Sequence, residues 1–420
     1  MLAATALNAV IPILAATAIQ AGTPICEPFF EQYEIVPGTV QRFEFIAMSD
    51  DGRFVCYHET GSGMPVGLWD RDTNTWSLIA GLETPVDVRS ISGDGSTLVG
   101  SKSVPAPTRG GSVTSVAAKW DTATGAATIL DTLPAGIDFS SANACAFDGS
   151  TIVGSQTGDT GTEAFVWTQS TGLVGIGDLE GGLFQSIAAD VSDDGSVVVG
   201  RGRDAEGIKA FRWTSKDGMT NLGDFPGGSN RSLAVTVSGD GMVIGGSSAG
   251  FEDSTEPFIW TEATGLQPIA PLNLNGQDFF EGQITALNFD GSIAGGRAGG
   301  AIGCYWTAET GLVSINDFVE NDLGQSTNPI VNLGFVRSMS ADGSVMIGVG
   351  FTPTLSEVNW IFGMCPATDP ADLDGDGCVG SPDLAFLLAG WGASGATDID
   401  DSGSTGASDL AVILAAWTGC

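Results

Sequence analysis

The chain has 420 residues, with 50 acidic side chains against 15 basic ones and a formal net charge of −35, and its basic residues form no stripe. Nucleic acid and anionic membrane surfaces are therefore poor partners, because the field of the whole chain repels them. The acidity fits solubility or a cation-rich exterior instead, and the length allows a large buried core.

Residues 2–21 come first in chain order and form the long apolar stretch, ending in small residues. They are read as a signal peptide over 1–21, cleaved near Ala21, although its start lacks the usual Lys or Arg. Pro12 interrupts the stretch as a helix, and no other segment is long enough to span a bilayer, so no membrane span is expected after cleavage. Seven cysteines fit an oxidising compartment. A secreted, extracellular or cell-surface location follows.

Residues 22–365 read as one repeat domain. Asp-Gly pairs stand at 51, 94, 148, 194, 240, 290 and 342, each trailed by a Trp at 69, 120, 167, 213, 260, 306 or 360. Two further registers run with them: Asn74, Gly125, Gly172, Gly218, Gly265 and Gly311 five residues past a Trp, and Gly100, Gly154, Gly200, Gly246, Gly296 and Gly348 five past a turn glycine. The first demands positive φ; the second marks close backbone approach, as near a crowded axis. Each Asp-Gly is expected to form a type I′ hairpin turn with both residues at positive φ. Four β-rich runs per repeat, seven times, predict an all-β, seven-bladed β-propeller.

The seventh repeat has three strand-like runs and no fourth after Cys365, while Phe29–Val36 is an orphan strand before the first. That N-terminal strand is expected to complete the seventh blade and remove two open sheet edges. The pairing would bring Cys26 beside Cys365, which predicts a ring-closing disulfide. A second bridge, Cys378 to Cys420, is expected in the tail, leaving Cys56, Cys145 and Cys304 as buried free thiols.

Residues 366–371 read as a linker and 372–420 as a small α-helical tail. Asp372-Leu-Asp374-Gly-Asp376-Gly377 matches a calcium loop: Asp372, Asp374, Asp376, the Cys378 carbonyl and Asp383 converge on one point, with Gly377 making the sharp turn. A second copy offers Asp398, Asp400, Ser402, the Ser404 carbonyl and Asp409. Oxygen ligands at this spacing suit the hard cation Ca²⁺. Both loops end in apolar helical runs, Leu384–Leu388 and Leu410–Ala416.

The tail resembles a type I dockerin repeat pair, in which Asp383 and Asp409 match the final Asp of each loop; the resemblance implies calcium binding and a cohesin-like partner. The repeat domain resembles the HAF family of extracellular repeats through Ala164-Phe165-Val-Trp167, Leu179-Glu-Gly181-Gly182, Val191-Ser192-Asp-Asp194-Gly195, and the second copy from Ala210 to Gly228. The naming His of that motif is replaced by Glu163, Lys209 and Glu256. That resemblance implies secretion and no particular reaction.

Catalytic signals are sparse. The single His, His58, reads as a surface residue beside a turn. Gly246-Ser-Ser248-Ala-Gly250 follows a hairpin turn and does not lead into a helix, so it does not read as a nucleophile elbow. Carboxylates for glycoside hydrolysis are plentiful, and no pair stands out. Arg89 and Arg337 share a register five residues before their Asp-Gly; they would mark an active channel, or else pack between blades or lie on the surface. The leading reading is a secreted non-catalytic binding or display protein whose partner is a cohesin-like or cell-surface protein or an extracellular glycan. The alternatives are a polysaccharide-active hydrolase or lyase carried by a dockerin, and a structural protein of the cell envelope.

Overall fold

The computed structural model describes residues 28–33, 42–59, 65–82, 86–105, 113–130, 137–250, 253–327, 332–352, 357–364, 371, 373, 379, 381–392, 397, 399 and 403–416. These fall in two compact units, one within 27–367 and one within the tail from 368, and each is taken separately. Among the described residues no helix is long and apolar enough to cross a membrane.

The first unit consists of seven four-stranded antiparallel sheets, the blades of a seven-bladed β-propeller. Their innermost strands are Phe43–Met48, Val86–Ile91, Ile137–Cys145, Ile187–Val191, Ser232–Val237, Gly282–Leu287 and Asn332–Met339. Chain order runs outward through each of the first six blades. In the seventh, the outermost strand is the N-terminal segment Phe29–Tyr33, antiparallel to Glu357–Gly363 in a register from Phe29 opposite Gly363 to Tyr33 opposite Asn359. One hairpin, Leu272–Leu274 with Gln277–Phe279, is inserted between blades five and six.

The Asp-Gly turns differ from the type I′ expectation. Only the glycine is left-handed, at φ of 65–74° from Gly52 to Gly343. Its N–H donates to the carbonyl three residues back, Ser49 for Gly52 and Ser192 for Gly195, so each turn is centred one residue earlier. The reason lies in the Asp side chain. Asp194 Oδ1 accepts from Ser192 Oγ at 2.7 Å and from Ser196 N at 2.8 Å, which holds the Asp in an ordinary turn conformation and leaves the left-handed position to the glycine that follows. The same carboxylate-to-amide bond occurs in all seven turns at 2.8–2.9 Å.

The innermost strand of every blade also carries a β-bulge, at Ile46, Arg89, Asn143, Ala189, Val235, Thr285 and Arg337. A bulge turns a carbonyl out of the ladder. It thereby explains the second glycine register: a Cβ on Gly100, Gly154, Gly200, Gly246, Gly296 or Gly348 would lie 1.9–2.3 Å from the carbonyl oxygen of the bulged partner strand. The expected close approach is present, although its cause is the bulge and not crowding at the axis.

Past the bulges, the turns join into a closed circle. Asp50 N donates to Gly93 O, Asp94 N to Phe147 O, Phe147 N to Asp193 O, Asp193 N to Gly239 O, Asp240 N to Phe289 O, Phe289 N to Ala341 O and Ala341 N back to Asp50 O, all at 2.7–3.0 Å. Each bond links one blade to the next, and the seventh returns to the first.

The hydrophobic core sits between blades. Cys56 and Val66 of the first blade pack with Val88, Leu98 and Trp120 of the second, and the pattern repeats around the ring. Where the seventh blade meets the first, Tyr33 lies 5.2 Å from Trp69 and 5.7 Å from Trp76, and the two indoles stack at 4.7 Å. Each such pair adds about 0.5–1.5 kcal/mol beyond the area it buries. Buried Asn359 grips the same junction, accepting from Phe45 N and donating to Phe43 O at 2.7 Å each.

In the tail unit, helices Ser381–Ala389 and Ala407–Ala415 share a small core of Ala371, Val379, Leu387 and Ile413. The two halves are built alike: Leu373 N donates to Asp383 Oδ1 and Ile399 N to Asp409 Oδ1, both at 2.7 Å.

Gly93 and Gly239 in the circle have no room for a side chain, since an added Cβ would meet the Asp50 or Asp193 carboxylate at 2.1 or 2.5 Å. Gly93→Ala and Gly239→Ala are each expected to cost about 1–3 kcal/mol of stability in urea unfolding; unchanged midpoints would show that the carboxylate and ring over each glycine swing aside freely.

Candidate functional site

Seven inner strands surround an axial channel of about 210 Å³, and the bulges aim one residue from each blade at its wall. Four of those seven are polar, and each reaches the next blade. Arg89 Nη1 donates to Asn143 Oδ1 at 2.8 Å, Asn143 Nδ2 to Ala188 O at 2.7 Å, and Thr285 Oγ1 to Val336 O at 2.7 Å; Arg337 Nη2 pairs with Glu44 across the closing junction. The remaining donors of Arg89 face Asp87, two residues earlier on its own strand, at 2.9 Å. Arg89 and Arg337 thus face the channel, as their shared register requires, and both are held in blade-to-blade contacts.

Position 190, one residue past a bulge, gives a similar latch. Asp190 Oδ2 accepts from Val237 N of the next blade at 3.0 Å, and Oδ1 accepts from Val191 N at 2.9 Å. Burial still raises the Asp190 carboxyl above the usual carboxylate range, against those hydrogen bonds. Two more carboxyls, Asp50 and Asp193, line the turn end of the channel. Burial, with neighbouring carboxylates adding, pushes Asp50 up to about 7 and Asp193 up to about 6. Sequence reading missed all three, because Asp50 and Asp193 precede the turn Asp in two copies only and look like turn residues.

His58 is not the surface residue expected beside a turn. It stands in the second strand of the first blade, half-buried and opposite Glu44, and burial holds its pKa below the ordinary imidazole value while Asp87 and Glu44 oppose the shift. Ser248 of the Gly-x-Ser-x-Gly match is 1% exposed, and its Oγ accepts from Phe225 N at 2.9 Å. That hydroxyl props a loop.

The positions of the replaced motif His lie beneath the loops of the face opposite the Asp-Gly turns. Lys209 is 2% exposed and bonds Asp224 Oδ1 at 2.6 Å. Glu163 Oε1 accepts from Gly177 N at 3.2 Å, and Glu256 Oε1 accepts from Ser254 Oγ at 2.8 Å. Glu163 and Lys209 each tie the loop after the fourth strand to the blade below it, whereas Glu256 bonds within the turn that leads into its own strand.

Of the expected calcium ligands, the structure describes Asp383, Ser404 and Asp409; Asp372, Asp374, Asp376, Cys378, Asp398, Asp400 and Ser402 lie outside the described residues, as do Cys26, Cys365 and Cys420. Asp383 and Asp409 are fully buried at the starts of their helices. Gly403, at the sharp-turn position of the second loop, has φ of 102°. Cys56, Cys145 and Cys304 are free thiols, and burial pushes Cys304 up to about 12.

No protein-family model and no curated protein matches the sequence. Solved structures do match in fold. An oligogalacturonate lyase in complex with manganese aligns at 12% identity over 82% of this chain and 98% of that one, with a TM-score of 0.50. The oligogalacturonate lyase of Vibrio parahaemolyticus aligns at 10% identity over 83% and 100%, with a TM-score of 0.51. TolB from Acinetobacter baumannii aligns at 13% identity over 65% of this chain, which spans 63% of its length, with a TM-score of 0.42. At these identities the likeness to the two lyases is one of propeller architecture.

Asn143 links three blades through two hydrogen bonds, so Asn143→Ala is expected to lower stability by about 1–3 kcal/mol, leaving Ala188 O without its donor. A loss within error in chemical denaturation would show that the channel wall is not a set of latches.

Proposed function

We propose that this is a secreted, non-catalytic binding or display protein, in which the propeller presents rim loops to an extracellular ligand and a calcium-ordered tail anchors or docks it. The observation that carries this reading is the state of the channel's polar groups: all four polar bulge side chains bond the adjacent blade, and both arginines are matched by carboxylates. A catalytic centre needs an acid, base or nucleophile free to meet substrate. Groups tied into the frame favour holding a shape over turning over a substrate.

The rim carries the variation that recognition needs. An extra hairpin stands between blades five and six, and a helical stretch, Ile315–Asp317 followed by Phe318–Asp322, lies between blades six and seven. Phe139, Leu183, Phe184 and Phe280 are exposed where the chain enters the inner strands. Aromatic faces of this kind suit sugar rings or partner side chains.

For the tail, the proposed ligands are Asp372, Asp374, Asp376, the Cys378 carbonyl and Asp383 in one loop, and Asp398, Asp400, Ser402, the Ser404 carbonyl and Asp409 in the other. Two buried terminal carboxylates in matching positions and the left-handed Gly403 support it. So does the dockerin-like motif, which also supports a cohesin-like partner, while the HAF-like motif supports secretion. A polysaccharide-active hydrolase or lyase is the second reading. Asp50 and Asp193 favour it, since carboxyls held near neutrality can act as general acids.

Calorimetric titration of the full chain with calcium is expected to reveal two sites, with Asp383→Ala and Asp409→Ala each abolishing one; no heat of binding would dismiss the calcium assignment. A glycan array with and without calcium, followed by mass analysis of what elutes, tests the propeller. Retained glycans of unchanged size are expected, whereas shortened or unsaturated products would establish the enzyme.

A further inference from the structure

Two channel carboxyls take no part in the latches. Around the circle of turns, Asp50 is followed by Gly93 and Phe147, and Asp193 by Gly239 and Phe289. The two triplets are built alike. A Cβ on Gly93 would lie 2.1 Å from Asp50 Oδ2 and 2.4 Å from the Phe147 ring; on Gly239 it would lie 2.5 Å from both Asp193 Oδ2 and Phe289. Each carboxyl therefore occupies the space above its neighbour's glycine, close to the phenylalanine of the next blade. Among the described residues neither carboxyl receives a hydrogen bond, while the same two residues donate and accept backbone bonds of the circle.

The charges that act most strongly on them are negative. Asp50 feels Asp193, Asp51, Asp190 and Asp94; Asp193 feels Asp190, Asp194 and Asp240. The cations of the same channel, Arg89 and Arg337, are engaged by Asp87 and Glu44. A proton on each carboxyl relieves both the burial and the repulsion.

We infer that the turn end of the channel is a proton-sensitive clasp, which holds the ring of blades tightly while Asp50 and Asp193 are uncharged and weakens when they ionise. For a protein facing the exterior, the ring then tightens in mildly acidic surroundings and loosens in alkaline ones. The direction follows from linkage. Both folded-state values, about 7 and about 6, lie above the ordinary carboxylate value near 4, so the folded chain keeps protons that the unfolded chain has released. Stability is greatest below that window, falls as pH rises through it, and is level above. His58 works the other way, because its lowered value makes the unfolded chain take up a proton first as pH falls. The variants separate the two effects.

The test is urea unfolding of the full chain at fixed calcium between about pH 5 and about pH 8, for the wild type, Asp50→Asn, Asp193→Asn and the double variant. The unfolding equilibrium constant of the wild type is expected to rise at least about a hundredfold across that range. Each single variant should remove part of the rise and the double variant more than either, the remainder belonging to Asp190, whose carboxyl burial also raises, with the double variant matching the wild type near the acidic end. A wild type indifferent to pH, or variants that decline in parallel with it, would overturn the clasp. Should a variant fail to fold, the wild-type profile and the remaining single variant still decide.

Discussion

A circle of seven backbone hydrogen bonds closes only if all seven blades end at the same height and angle around one axis. That requirement explains features of the sequence that seem unrelated. The turn glycine alone takes the left-handed conformation, the Asp before it accepts the amide two residues on, and the residue before the Asp offers its carbonyl to the circle. Where that residue is Gly93 or Gly239, the donor moves one place along, to Asp94 or Asp240, and the circle still closes. The bulge in each inner strand belongs to the same geometry, since it increases local twist and bends the strand.

Much of this was legible before any coordinates. Seven Asp-Gly pairs with their trailing Trp residues announced seven blades, and the glycine registers announced the positions with special backbone. Asn74 and Gly125 take positive φ as their spacing requires. The turn type was misread because Asp-Gly between strands is shared by two hairpin families, and only the side-chain bonds of the Asp choose between them. The bulges were not legible at all. A bulge adds one residue without changing composition, and its sole trace was the glycine opposite it, which reads equally well as crowding.

The channel was half legible. A shared register put Arg89 and Arg337 in one place, but a register does not reveal what a side chain bonds to. Their partners come from neighbouring blades or from two residues earlier on the strand: Asn143 is 54 positions from Arg89, and Glu44 is 293 from Arg337. Asp50 and Asp193 stayed hidden for the opposite reason, since they sit among turn aspartates and differ only in facing inward. Lys209, Glu163 and Glu256 show a third limit. Chemically unlike residues occupy one structural position: Glu163 and Lys209 both bond the loop after the fourth strand, and Glu256 bonds the turn before its own strand.

A propeller can use its axis for chemistry or for cohesion, and here the polar bulge side chains along the wall are committed to cohesion. If the circle and its latches hold the ring as one body, the amides of Asp50, Asp94, Phe147, Asp193, Asp240, Phe289 and Ala341 should open only when the whole propeller unfolds. Native-state hydrogen exchange measures this directly. The account predicts that these seven amides are among the slowest of the chain and share one opening free energy equal to that of global unfolding. Exchange in separate steps, blade by blade, at energies well below the global value would contradict it.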